Sequence, residues 1–517
     1  MLSTTGDDQR PAAMTNALVP PLRGEAAVLG EALAAAARQF GDREAYVDGA
    51  DRITFGDWHR QADAVAAELV ARGIRRGDVV ALMLPSSVDF AVAYAAILRV
   101  GGVATGLNTR LGSQETTGIL DRCRPALVIR DATADLSPVP SGFPLMSREE
   151  LAAARRGAPG SFPRDQVVPD DPAVIIWTSG TTGVPKGAWY DHRGLAAAAL
   201  TAGVMSAPFD RRLFGTPFAH AGYMAKVWDQ LAWGIALVIS PVPWKAAEIA
   251  DLLEGERITV GTGVPTQWAK LLEEPGIERR AFPRLRLGIS ATAPAPPELV
   301  EAVNRVLGVP LVVRYAMTES PSISGTDPED PPEVLFHTVG RPQTGVEVAV
   351  VDDGGHALAA GSVGRVQVRG ACVMRGYWRD PVRTAEALDD EGWLRTGDLG
   401  TLTPEGHLVL AGRSTDVYLR GGYNIYPLEV ENVLSEHPRI ARVAVVGTPA
   451  PVIGEIGVAF VVPQDAADPP RLEELRVWTR RRLADYKAPD RLEIVDALPL
   501  TAMMKVDRTV LRGLAAL

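Results

Sequence analysis

Residues 174–188, VIIWTSGTTGVPKGA, concentrate reactive side chains more densely than any other part of this 517-residue chain. Between Thr178 and Gly187 there are four Ser or Thr, three Gly and one Lys, directly after a β-branched apolar run. Glycine lets a backbone approach a ligand closely, and hydroxyls with backbone N–H groups cradle phosphate oxygens. The order is not that of a Walker A loop, because Gly187 follows Lys186 where that loop needs Ser or Thr. An ordinary polar turn would explain the small residues but not the lysine. Only six lysines, at 186, 226, 245, 270, 487 and 505, stand beside 47 arginines. In such a chain a retained lysine marks a compact point charge that a planar guanidinium does not replace.

The elements around this loop follow from hydrophobic periodicity. AVAAELVARG reads as an amphipathic helix stopping at Gly73, DVVALMLP as a buried strand, DFAVAYAAILRVGG as a helix closed by a Gly pair, and ALVIR (126–130) as a strand. The same rhythm recurs in ALVIS, ITVGTG, LRLGIS and LVVRYA between 195 and 315. Helices alternating with apolar strands predict an α/β fold of mostly parallel sheets flanked by helices. After about residue 335, VEVAVVDDGG, GRVQVRG and GHLVLAGR alternate with period two between Gly turns, which predicts a small antiparallel region. The last hundred residues read as a compact α+β unit. The expected division is a flexible leader at 1–25, a large domain at 26–412 and a small mobile domain at 413–517.

Composition sets outer limits. With 46% hydrophobic and 22% charged residues the chain can build large cores, and its length suggests about two to four domains. A net charge of −10 and a mean hydropathy of +0.04 disfavour a nucleic-acid coat or a polybasic membrane binder. Cys123 and Cys372 are the only cysteines, too few for a disulfide framework or a Cys-based zinc site, so free core thiols are expected. Seven histidines without HExxH spacing do not suggest a transition-metal site. The first residues lack the apolar core of a secretory signal, and no apolar run reaches the ~20 residues of a membrane span, so a cytoplasmic protein is expected.

TSGTTGVPKG resembles the phosphate loop of the AMP-forming adenylating superfamily, which includes acyl- and aryl-CoA synthetases, adenylation domains and luciferases. Further signatures follow in order: Tyr315-Ala316-Met317-Thr318-Glu319, Trp393-Leu394-Arg395-Thr396-Gly397-Asp398, Gly412-Arg413-Ser414-Thr415-Asp416, GGYNIYPLEVE at 421–431 and LPLTAMMKVDR at 498–508. ITFGDW, GIRRGDVVALMLPSS and GGVATGLNTRL resemble the superfamily's N-terminal region, so the similarity spans about residues 30–517.

The resemblance implies a ligase using ATP, Mg2+ and coenzyme A. It activates a small carboxylic acid as an acyl-adenylate with release of pyrophosphate, then passes the acyl group to a thiol. Both reactants of the first step are anionic, so the site must neutralise charge and hold the groups in line. By resemblance Thr178, Ser179, Gly180, Thr181, Thr182 and Gly183 wrap the phosphates, and Lys186 steadies that loop. Glu319 is the magnesium ligand, Thr318 bonds the α-phosphate, and Tyr315 packs on adenine. Asp398 accepts from the ribose hydroxyls, with Arg413 beside it. Lys505 bridges the substrate carboxylate and the α-phosphate, and His220 gates or contacts the carboxylate. Gly421 and Gly422 line a pantetheine tunnel after the small domain rotates about Thr415.

Three positions depart from the family pattern: Thr415 where Asp or Lys is usual, Met504 for the Gly before the catalytic lysine, and Ala316 for Gly. The acyl pocket is expected at His220, Tyr223, Met224, Thr262, Gly263, Ala291, Thr292 and Ala316. Ser290-Ala291-Thr292-Ala293-Pro294 and the extra methyl of Ala316 suggest a short, wide pocket for an aromatic or cyclic acid. The acceptor is expected to be CoA, with an amine or a carrier-protein thiol as the alternative. The protein is expected to be a monomer or homodimer, with no nucleic-acid partner.

Overall fold

Helix Val88–Arg99 has all twelve of its residues buried, which an apolar surface on every side requires. It is held between two sheets, touching Val79–Met83 and Val103–Gly106 on one side and Glu44–Asp48 and Asp51–Thr54 on the other. Ser87 caps it, its hydroxyl accepting from the Phe90 N–H at 3.3 Å. Helix Phe55–Ala71 packs alongside and begins with a reciprocal Thr54–Asp57 capping box. It ends before Gly73, as its sequence predicts.

The computed structural model describes residues 20–22, 26–131, 139–160, 162, 167–178, 185–291, 295–421, 423–501 and 505–516. Most of the expected leader, Ser179 to Gly183, Thr292, Gly422 and Met504 lie outside the described residues. Of the leader, Leu22 donates its N–H to the Ala232 carbonyl at 3.1 Å and packs against the main core.

The fold is α/β. In the first sheet Leu145–Ser147, Leu127–Arg130, Val79–Met83, Val103–Gly106 and Pro172–Thr178 run parallel; Lys186–Asp191 and Gly376–Tyr377 complete it antiparallel. The second sheet has nine strands. Its parallel centre is formed by Glu44–Asp48, Ala236–Ile239, Arg211–Phe214, Val260–Gly263, Leu287–Ala291 and Leu311–Met317. Every strand expected between 126 and 317 is therefore present. The expected antiparallel region is a four-stranded sheet of Val346–Val351, Gly364–Gly370, Leu394–Leu402 and Leu408–Arg413.

That sheet ends on Arg413, and a separate five-stranded sheet begins at Tyr418. Gly447 and Gly457 of this five-stranded sheet flank the buried Tyr418 ring. A Cβ at Gly457 would come within 2.2 Å of the tyrosine oxygen, so the close approach requires glycine there. Both cysteines are buried and free. Among the described residues, no helix is long and apolar enough to cross a membrane.

Candidate active site

The strands on either side of residues 179–184 are antiparallel, with Thr178 paired to Lys186 across the ladder. Lys186 holds its ammonium 5.1 Å from the centre of the Tyr377 ring, a favourable cation–π arrangement. The Tyr377 hydroxyl donates to Glu319 Oε1 at 2.8 Å.

Thr318 and Glu319 form the two-residue turn between Leu311–Met317 and Ser320–Gly325, where Met317 pairs with Ser320. The turn is pinned from outside. Tyr190 donates to the Thr318 carbonyl at 2.5 Å, and the Met374 N–H donates to the Glu319 carbonyl at 2.9 Å. Glu319 is buried. Among the described residues there is no cluster of three His, Cys, Asp or Glu side chains. A single carboxylate still fits magnesium, which commonly takes one or two carboxylates and completes its shell with phosphate and water.

Tyr315, Asp398 and Arg413 come together from three strands. Tyr315 donates its hydroxyl to Asp398 Oδ2 at 2.5 Å, and Arg413 Nε lies 3.0 Å from Oδ1. Asp398 and Arg413 are register partners. Burial, then the neighbouring carboxylate, keeps the Tyr315 phenol well above its usual pKa, so it remains a donor. Each carboxylate oxygen still has a lone pair to offer.

Lys505 enters from the far end of the sequence. A short antiparallel bridge, Leu500 to Val506, presents it, with Thr501 N–H donating to the Lys505 carbonyl at 2.7 Å. Its side chain is open to solvent yet hemmed in by protein. Loss of surrounding water and then Arg413 lower its pKa, while Asp398 and Glu319 oppose this. Lys505 also adds to the effect of burial on His220, whose pKa falls to about 4. The Asn108 amide nitrogen lies 3.0 Å from His220 Nε2. With that amide donating, the ring is neutral and carries its proton on Nδ1.

The structure therefore gathers Thr318, Glu319, Tyr315, Asp398, Arg413, Lys505 and His220, with Lys186 joined through Tyr377. It does not tie Gly421 to this group: the Gly421 N–H donates to the Ile453 carbonyl within the last sheet at 2.7 Å, in a left-handed turn. Of the expected acyl pocket, His220, Thr262, Ala291 and Ala316 are half-buried. Tyr223 and Met224 instead turn into the core. Tyr223 stacks on Phe218 at 3.8 Å and bonds the Tyr46 hydroxyl, which leaves neither ring face nor oxygen for a ligand. Tyr377 and Asn108 escaped sequence reasoning. Each meets its partner across more than fifty residues, so local pattern carries no trace of the pairing.

Two large helix-flanked sheets, a carboxylate held between Tyr315 and Arg413, and a lysine brought in by a small C-terminal unit define an adenylate-forming enzyme. The chain belongs to the AMP-binding enzyme family. The profile of that family matches residues 33–378, and that of the AMP-binding enzyme C-terminal domain matches 429–505. A 3-[(3aS,4S,7aS)-7a-methyl-1,5-dioxo-octahydro-1H-inden-4-yl]propanoyl:CoA ligase from Rhodococcus jostii (strain RHA1) is 33% identical, covering 93% of this chain and 97% of its own. The ATP-bound crystal structure of MatB from Rhodopseudomonas palustris superposes with a TM-score of 0.85 at 30% identity, covering 94% and 98%. The amide bond synthetase McbA from Marinactinospora thermotolerans gives 0.83 at 30% identity, covering 94% and 100%.

Proposed function

We propose that this protein is a cytoplasmic, AMP-forming carboxylate–CoA ligase for a cyclic or aromatic acid, divided at residues 412–413 into a large and a small mobile domain. The observation that carries this reading is the position of Lys505, within electrostatic reach of Asp398, Arg413, Glu319 and His220. A substrate carboxylate oxygen attacks the α-phosphorus of ATP, and the bond to pyrophosphate breaks. Lys505 faces the negative charge that grows on the oxygens in between. Asp398, oriented by Tyr315 and Arg413, receives the ribose, while Thr318 and the 179–183 loop hold the phosphates. Glu319 would hold magnesium, which when bound would supply charge neutralisation for the phosphates. Neutral His220 offers Nδ1–H beside the carboxylate without adding a charge. In the second step the CoA sulfur attacks the acyl carbon, the thiol proton departs, and AMP leaves.

Similarity to the Rhodococcus ligase, whose named product carries a bicyclic acyl group, supports both the CoA acceptor and a cyclic acid. Similarity to McbA keeps an amine acceptor as the second reading. The deciding experiment measures pyrophosphate release over a panel of carboxylic acids, followed by product analysis with CoA or with amines. Thioester formation supports the ligase. Amide formation alone selects the second reading, and no pyrophosphate with any acid rejects both.

Glu319→Gln keeps the shape but loses the charge that a hard cation prefers. Its Oε1 can still accept from Tyr377, so the turn is retained. The expected result is a rise of about tenfold in the magnesium concentration needed for half-maximal pyrophosphate release. An unchanged magnesium dependence rejects Glu319 as the ligand.

A further inference from the structure

The pocket face of strand Leu311–Met317 does not end at Ala316. Arg314 stands two residues before Ala316 on that strand; the ladder to Ser320–Gly325 is irregular between Tyr315 and Met317, so it is the neighbouring strand on the other side that places it. Ala291, another expected pocket residue, is its register partner on the neighbouring strand. Arg314 is only 8% exposed, and its Nε has no hydrogen-bond partner. Among the described residues no carboxylate forms an ion pair with it. Burial lowers its pKa to about 10, against the distant pull of Asp327 and Asp330.

A second cation stands close by. With the Gln343 amide turned to satisfy its neighbours, its oxygen accepts from Arg314 Nη1 at 2.8 Å and its nitrogen donates to the Thr201 carbonyl at 3.0 Å. Lys226 Nζ donates to Thr201 Oγ1 and to the Ala198 carbonyl, both at 3.1 Å. Two neutral residues thus connect two positive groups. Lys226 is half-buried, and burial lowers its pKa to about 8.

The carboxylate nearest in charge to Lys226 is Asp229, and it is already engaged. Ser206 donates to both of its oxygens, at 2.8 and 2.9 Å, and Arg212 Nη1 lies 3.0 Å from Oδ2. Asp229 is thus taken by Arg212, and among the described residues no carboxylate forms an ion pair with Lys226. Buried charge is costly unless paired, and neutral oxygens at Lys226 do not cancel its charge. This lysine is also one of six in a chain that uses arginine almost everywhere else.

We propose that Lys226 and Arg314 form an anion-receiving end of the acyl pocket, so that the preferred acid carries a second carboxylate at the end distant from the reacting one. This rests on the reading of the chain as a carboxylate-activating enzyme. A distal ketone shares the hydrogen-bond chemistry but would leave both positive charges uncompensated.

The test compares pyrophosphate release from 3-phenylpropanoate, 3-(4-acetylphenyl)propanoate and 3-(4-carboxyphenyl)propanoate, and from hexanoate against adipate. In at least one series the acid with two carboxylates should exceed its parent at least tenfold in kcat/KM, and in the aromatic series it should also exceed the acetyl compound. Lys226→Met should move that ratio toward one by raising KM for the diacid, while Lys226→Arg should keep part of the preference. Parent acids preferred in both series, the acetyl compound preferred over the carboxy compound, or equal losses for both acids in Lys226→Met would each overturn the proposal while leaving the ligase reading intact. Absence of pyrophosphate from every acid would overturn both.

Discussion

Lys505→Ala is expected to slow acyl-adenylate formation about 10²–10³-fold, the usual cost of losing one donor aimed at developing charge. The fold should survive, because Lys505 is exposed. ATP binding should also largely survive, since Asp398, Tyr315 and Arg413 hold one another without the lysine. Pyrophosphate release within twofold of wild type would remove Lys505 from the mechanism.

A pH profile gives an independent readout of the same residue. Lys505 acts as a cation, and its surroundings lower its pKa from the ordinary value of 10.5, chiefly through loss of water around the ammonium in the cleft and then through Arg413. The kcat/KM for adenylation should therefore be sustained at lower pH and decline on the alkaline side before free lysine would titrate. Lys505→Arg remains charged throughout this range. It should be slower because the guanidinium is broader, and it should lack that alkaline decline. An identical decline in the variant assigns it to another group. His220, with a pKa of about 4, is already neutral near pH 7 and contributes no titration there.

Much of this site was legible in the sequence because adenylation chemistry is carried by short contiguous segments. The hairpin turn at Thr318–Glu319 and the ladder pair Asp398–Arg413 each follow from one or two neighbouring motifs. Strand and helix placement was legible for a related reason: runs such as 79–83 and 88–99 are apolar enough to be buried on both faces. Groups that act on those motifs from elsewhere in the fold were not legible. Tyr377 reaches Glu319 from an edge strand only two residues long, and Asn108 reaches His220 from a loop. Tyr223 shows the opposite effect. It was expected in the acyl pocket, but the aromatic cluster of Phe90, Phe214 and Phe218 draws its ring inward. Lys226 left one faint compositional trace, its rarity, whose meaning depends on Arg314 almost ninety residues away.

Thr415→Pro is expected to slow acyl transfer about 10²-fold while leaving adenylation within a few-fold of wild type. The residues on either side of Thr415 are tied to different bodies. Ser414 donates both its N–H and its hydroxyl to the Gly397 carbonyl, at 3.0 Å each, which fastens it to the four-stranded sheet. Asp416 is held by Arg512 at 2.6 Å and Arg508 at 3.5 Å, both on the C-terminal helix, and Arg512 also donates to the Thr415 carbonyl at 3.2 Å. The change of body thus falls between Ser414 and Asp416, at an exposed residue. In the present pose Lys505 lies within electrostatic reach of Asp398, Arg413 and Glu319, while the Gly421 N–H is bonded to the Ile453 carbonyl of its own unit. If the proposed acyl-transfer pose uses the Gly421 turn, the small unit must rotate, and the strained points are the bonds from the Asp416 and Val417 N–H groups to the Arg413 carbonyl. Proline fixes its own φ near −65° and biases Ser414 toward extended backbone, so it resists any pose that needs other angles. A reacting group misplaced by about 1 Å can cost 10²-fold, which sets the expected size of the effect. Single-turnover measurements separate pyrophosphate release from thioester formation. Equal slowing of both steps would indicate general damage at the junction. No slowing of either would mean that the acceptor, such as a free amine, reaches the adenylate without rotation of the small domain.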